Sequence, residues 1–143
     1  MSIMEKRPII QVRDLQARYG EKLILDGISF DVYEREILAV LGESGCGKST
    51  LMKHMVGLIE PAGGEVIIDG ERITGAEEET YRRILRKMGV LFQGGALFSS
   101  LTLAENVALP IQEYTDLPDQ AVNALVRFKL GMMKLDGYEH FFP

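Results

Sequence analysis

The chain has little cysteine, little histidine and no long apolar run, and each shortage excludes something. The single cysteine, Cys46, rules out a disulfide within the chain and fits a reducing, cytoplasmic setting. No stretch approaches the roughly 20 apolar residues that span a bilayer. The opening MSIMEKRPII lacks the apolar run of a secretory leader. A soluble protein is expected, one still able to dock on a membrane protein. Positive charge is short as well: 16 Lys and Arg against 21 Asp and Glu give a net charge of −5. That balance argues against a general nucleic-acid binder. The two histidines, His54 and His140, have no partner at metal-ligand or triad spacing and read as surface or interface residues. Repeats, low-complexity tracts and obvious linkers are missing too.

What is there suffices for a packed core: 143 residues, 46% of them hydrophobic, make one domain or a piece of a larger one. Val12 to Arg18 and Ile28 to Val32 read as two half-buried strands joined by a turn around Tyr19 to Lys22. Ile37 to Leu41 (ILAVL) is a continuous apolar run, the pattern of a strand buried on both faces of a parallel sheet. A helix follows from Lys48, with Leu51, Met52, Met55 and Val56 facing inward, and Gly57 and Pro61 end it. GGEVIIDGERI reads as a strand pair or ribbon edge. Thr74 to Glu77 has capping-box spacing, which predicts a helix from about Glu77 to Met88 with Tyr81, Ile84, Leu85 and Met88 inside. Gly89 to Gln93 reads as a second buried strand. Short helices are expected over Leu103 to Leu109 and Pro118 to Leu130, the latter with Val122, Leu125, Val126 and Leu130 inward. The order of elements is that of an α/β protein.

The most specific signal is LGESGCGKST. Gly42-Glu43-Ser44-Gly45-Cys46-Gly47-Lys48-Ser49 satisfies G-x-x-x-x-G-K-[ST], with a buried strand expected before it and a helix after. Glycines let the loop wrap an anion closely with its N–H groups pointing inward, and the helix adds its own unpaired N–H groups and positive dipole end. In this arrangement Lys48 bridges the β- and γ-phosphates, Ser49 ligates Mg²⁺ and Thr50 donates to the α-phosphate. Several charge-assisted hydrogen bonds of roughly 1.5–3 kcal/mol each outweigh the cost of ordering such a loop. The ordinary alternative is a glycine-rich turn. Cys46 stands at a variable position, where a small residue fits and where alkylation would block the site. The loop indicates a nucleoside triphosphate without saying which.

From LQARYGEKLILDG to GGEVIIDGERI the sequence resembles the start of an ABC transporter ATP-binding subunit. The resemblance implies that Tyr19, in ARYGEK, stacks on adenine and that the cofactors are ATP and Mg²⁺. It also implies that Gln93, in GVLFQGGALF, is the Q-loop glutamine. That residue would complete the Mg²⁺ shell, help place the attacking water and report nucleotide state to a membrane partner. FQGGALFSSLTLAENVALP is similar to the ATPase of bacterial phospholipid-trafficking systems of the Mla type, once grouped with toluene tolerance. The partners then implied are a transmembrane permease subunit, met by Leu97 and Phe98, and a second ATP-binding subunit in a homodimer. The place implied is the cytoplasmic face of the bacterial inner membrane. Read from its residues alone, the same segment is core packing plus a helix cap at Thr102, with Glu105 three residues on.

The chain also departs from that family. No L-S-G-G signature, no apolar strand ending in Asp-Glu and no switch histidine follows the Q-loop, and no apolar strand precedes Asp136 or Glu139 to aim a carboxylate at Mg²⁺. The expectation is therefore an α/β P-loop NTPase core of the ABC type with an antiparallel β subdomain, ending before the signature. Residues 1–95 would form the β subdomain and P-loop core and 96–143 the start of a helical subdomain. It should bind ATP yet hydrolyse it negligibly. The missing strands should leave Ile37–Leu41 or Gly89–Gln93 with unpaired edges. Other readings are a soluble ABC-type ATPase of DNA repair or translation, a non-enzymatic nucleotide-binding module, and a small P-loop kinase, against which Tyr19 and Gln93 speak.

Overall fold

Strand-forming residues dominate the first third of the chain, and they build most of its sheet. The structure, a computed structural model, describes residues 7–143; residues 1–6, at the start that reads as lacking a leader's apolar run, lie outside the described residues. It divides into two compact units, one reaching to Val90 and one from Leu91 to Pro143.

In the first unit, β1 (Pro8–Tyr19) and β2 (Lys22–Tyr33) form an antiparallel hairpin closed where Tyr19 pairs with Lys22. Both strands run further than their alternation suggests, because register shifts along β1 let the ladder continue past interruptions such as Asp14. There the backbone turns left-handed (φ 45°) and the Asp14 N–H donates to Ser29 Oγ instead of to a strand. β3 (Gly63–Ile68) pairs with the other edge of β1, and the two-residue β4 (Glu71–Arg72) with β3, giving an antiparallel sheet in the order β2-β1-β3-β4. Two helices complete the unit, α1 (Lys48–Met55) and α2 (Glu78–Leu85). Val12, Leu15 and Ala17 of β1 form the core with Leu25, Val66, Ile68, Ile73, Leu51, Met55 and Ile84. Each large side chain fully buried there contributes roughly 1.5–3 kcal/mol relative to exposure.

Several expectations for the residues up to Gln93 need correction. Ile37–Leu41 and Gly89–Gln93 are not strands buried on both faces. Among the described residues neither pairs with anything, and Ile37, Leu41 and Leu91 are 97%, 88% and 93% exposed. Their apolar runs record the environment these residues favour, but a strand needs a neighbour on at least one edge. Thr74 does not cap α2. Its hydroxyl accepts the Val66 N–H at 2.9 Å, and Glu77 takes the N-cap place without a side-chain bond. His54 is not a surface residue but is buried on the inner face of α1, while Met52 is turned out.

The second unit is built on a pair of helices in contact, α3 (Leu103–Tyr114) and α4 (Asp119–Met132). Thr102 and Glu105 form a reciprocal capping box at the start of α3. α3 does not stop at Leu109. It continues through Pro110, whose missing N–H costs one helical bond, because Ile111 beyond it still packs against the cluster of Val122, Val126 and Leu130. Leu125, expected inside, is 37% exposed.

Candidate functional site

The loop before α1 takes its shape from one lysine and from glycines. Lys48 Nζ donates to Gly42 O at 2.8 Å and Glu43 O at 2.6 Å and lies 3.7 Å from Cys46 Sγ. The ammonium thus draws together the two ends of the segment Gly42–Lys48, and the Cys46 N–H closes a turn onto Glu43 O at 3.3 Å. Gly47 is the N-cap of α1, with φ 101°, and is buried against β2. A Cβ there would come within 3.0 Å of Leu25 Cδ2 and 3.1 Å of Ile24 Cγ2. Absence of a side chain at this point is what lets the loop rest on the sheet.

α1 has no side-chain cap and no acid in its first turn. The N–H groups of Lys48, Ser49 and Thr50 therefore have no partner one turn back along the helix, and the positive dipole end is uncompensated. Ser44 and Ser49 are exposed and Thr50 half-buried. These groups form a donor set for a polyphosphate: one ammonium, adjacent backbone N–H groups and hydroxyls, with carboxylates only at Glu43 in the loop. Among the described residues no cluster of three or more His, Cys, Asp or Glu is arranged to hold a metal ion. A divalent cation here would be held by a hydroxyl such as Ser49 together with phosphate oxygens, a coordination suited to Mg²⁺.

Tyr19 stands at the end of β1 and is 52% exposed. Gln93 belongs to the second unit, where it is exposed in the turn closed by the Gly95 N–H on Phe92 O. Leu97 and Phe98 are 52% and 57% exposed. Asn106, which sequence patterns do not single out, holds this segment. Its Nδ2 donates to Phe98 O, Leu101 O and Thr102 O, and its Oδ1 accepts the Phe98 N–H. Only its place one turn into a capped helix hints at that role. His140 is exposed near the chain's last residues.

The fold superposes on the dimeric bacterial ABC transporter cassette MJ0796 with a TM-score of 0.83 at 29% identity, covering 94% of this chain and 61% of that one. The post-hydrolysis form of that cassette, bound to ADP and Pi, matches with the same TM-score at 26% identity. The class is thus an α/β ATP-binding cassette fold of the P-loop kind. Residues 25–139 match the ABC transporter family model, and the chain belongs to that family. It is 36% identical over 135 residues to the intermembrane phospholipid transport system ATP-binding protein MlaF of Haemophilus influenzae, and equally so to that of Escherichia coli K12. Against the chloroplastic protein trigalactosyldiacylglycerol 3 of Arabidopsis thaliana it is 38% identical. These matches cover 94% of the chain but 51%, 50% and 39% of the relatives, so it spans about half the length of the bacterial ones.

Proposed function

We propose that the loop Gly42–Thr50 holds the phosphates of ATP with Mg²⁺, as the binding site of a transporter subunit that powers phospholipid movement across or between bacterial envelope membranes. The observation that carries this reading is the uncapped start of α1 with Lys48 folded over the loop beside it. Gly42, Glu43, Ser44, Gly45, Cys46 and Gly47 supply the backbone cradle. Lys48 exchanges its loop carbonyls for β- and γ-phosphate oxygens, Ser49 ligates Mg²⁺, Thr50 donates to the α-phosphate, and Tyr19 stacks on adenine. By the family resemblance Gln93 would be the residue that completes the Mg²⁺ shell and orients the attacking water. The phospholipid assignment is supported by the names of the bacterial relatives.

In this reading the working assembly is a homodimer of ATP-binding subunits on the cytoplasmic face of the inner membrane, with a permease subunit received at Leu97 and Phe98. Phosphoryl transfer depends on positioning and charge stabilisation. The signature, the Asp-Glu strand end and the switch histidine are not among these 143 residues, so the chain binds ATP and turns it over negligibly. The test is titration with a fluorescent ATP analogue and Mg²⁺, alongside phosphate release. The chain should bind, Lys48→Ala should weaken binding at least tenfold, equivalent to about 1.4 kcal/mol, and release should stay at background. Lys48-dependent turnover of about 1 s⁻¹ or more, the ordinary range for enzymes, contradicts the hydrolysis part. Equal affinity in the variant contradicts the site.

A further inference from the structure

Among the described residues, the one buried polar side chain of the core is on the helix that presents the loop. His54 is 4% exposed on the inner face of α1, beside Leu51 and Met55. Its Nδ1 lies 2.7 Å from Ile59 O. A carbonyl can only accept, so Nδ1 carries the proton. The segment His54 grips is itself held from other elements. Tyr81 Oη, from α2, donates to Gly57 O at 2.9 Å, and Glu60 accepts the Gly75 N–H at 3.3 Å. Gly57 (φ 72°) fits so closely between Ile73 and Tyr81 that a Cβ would lie 2.7 and 2.9 Å from them. The helix end turns back on itself here, with the Gly57 N–H on His54 O and the Leu58 N–H on Lys53 O.

α1 has only eight residues and no side-chain cap at its start. Its N-terminal end, which carries Lys48 and Ser49, is therefore held by the buried face and by the C-terminal grip. A hydrophobic side chain at position 54 would fill the space but leave the helix free to shift along its axis, since apolar contacts are non-directional. A hydrogen bond of fixed length sets the position. Burying an imidazole is costly unless it is bonded, so its presence calls for a directional role.

We infer that His54 is a positioning residue for the phosphate loop: by tying α1 to the Gly57–Ile59 segment clamped by Tyr81, it sets where the Lys48 and Ser49 groups stand. This rests on the reading of the loop as an ATP site. Three chains decide it: the natural one, His54→Leu, which keeps apolar volume but removes the donor, and His54→Asn, whose amide can donate from near the place of Nδ1. Fluorescent-nucleotide titration should show His54→Leu weaker by about fivefold or more, the equivalent of one net hydrogen bond, with affinity restored in His54→Asn. Amide hydrogen exchange, which needs no nucleotide, should show faster exchange at Leu51–Met55 in His54→Leu while Val12 and Leu15 of β1 keep their protection. Unchanged α1 exchange overturns the inference, as does acceleration equal in α1 and β1, which marks a purely structural residue. Failure of the natural chain to bind nucleotide would reject the ATP reading, and the exchange result would still decide the role of His54.

Discussion

At the residue scale, the loop depends on the absence of a side chain as much as on the presence of one. Gly47→Ala places a Cβ in the left-handed region and against Leu25 and Ile24. Strain of that kind costs about 1–3 kcal/mol. The urea midpoint of the variant should fall accordingly and nucleotide affinity with it; an unaltered midpoint contradicts the packing described. This much was legible in the sequence, since the G-x-x-x-x-G-K-[ST] spacing names the glycines and lysine whose geometry the structure gives. His54 was not legible. A histidine in LMKHMVGL reads as polar and outward until the helix phase is fixed, and that phase depends on which neighbours α1 meets. Thr74 misled for a related reason: its hydroxyl could serve a helix or a strand edge, and it accepts the Val66 N–H of β3.

At the element scale, α2 and β4 are joined by charge. Arg83 and Lys87 pair with Glu71, and Lys87 with Asp69, which also meets Arg7. The hydrogen bond from Arg83, then that from Lys87, holds the Glu71 carboxyl down at about 2, and Lys87 followed by Arg7 lowers that of Asp69. Both folded-state values lie below the unfolded ones. The stabilisation is therefore fully present above the ordinary carboxylate value near 4.5 and is lost as pH falls from there toward about 2. Denaturant midpoints measured from pH 6 to pH 2.5 should decline through that window, and Glu71→Gln should make the decline shallower; a parallel curve excludes the network as a cause. These pairs are exposed, so salt should reduce the difference. Sequence periodicity located both helices of the second unit and the Thr102–Glu105 box, because capping and apolar spacing are local. It ended α3 at Leu109, whereas the helix runs on through Pro110 to Tyr114, where the contact of Ile111 with the α4 cluster offsets the proline's local cost.

At the scale of the whole molecule, the apolar segments Ile37–Leu41 and Val90–Phe92 present side chains and backbone groups with no partner strand among the described residues. Unpaired, exposed strand-forming segments invite pairing with other chains. The mass measured by light scattering should rise with protein concentration, and charged substitutions at Ile37 and Leu91 should suppress the rise. A concentration-independent monomer mass contradicts this. The fold class was readable from the phosphate-loop motif and the family resemblance, whereas the state of these two segments was readable only by asking what lay beside them. An apolar run specifies an environment, and another part of a sheet must provide it.

The antiparallel sheet has a consequence in time. Its most distant ladder contact joins Ile10 to Ile68, and β4 ends at Arg72. Every residue it needs has therefore been added to the chain before α3 and α4 are made. Hairpin closure takes microseconds, whereas synthesis adds about 5–20 residues per second. The sheet can thus settle while the second unit is still being made, giving the glycine loop a surface to rest on.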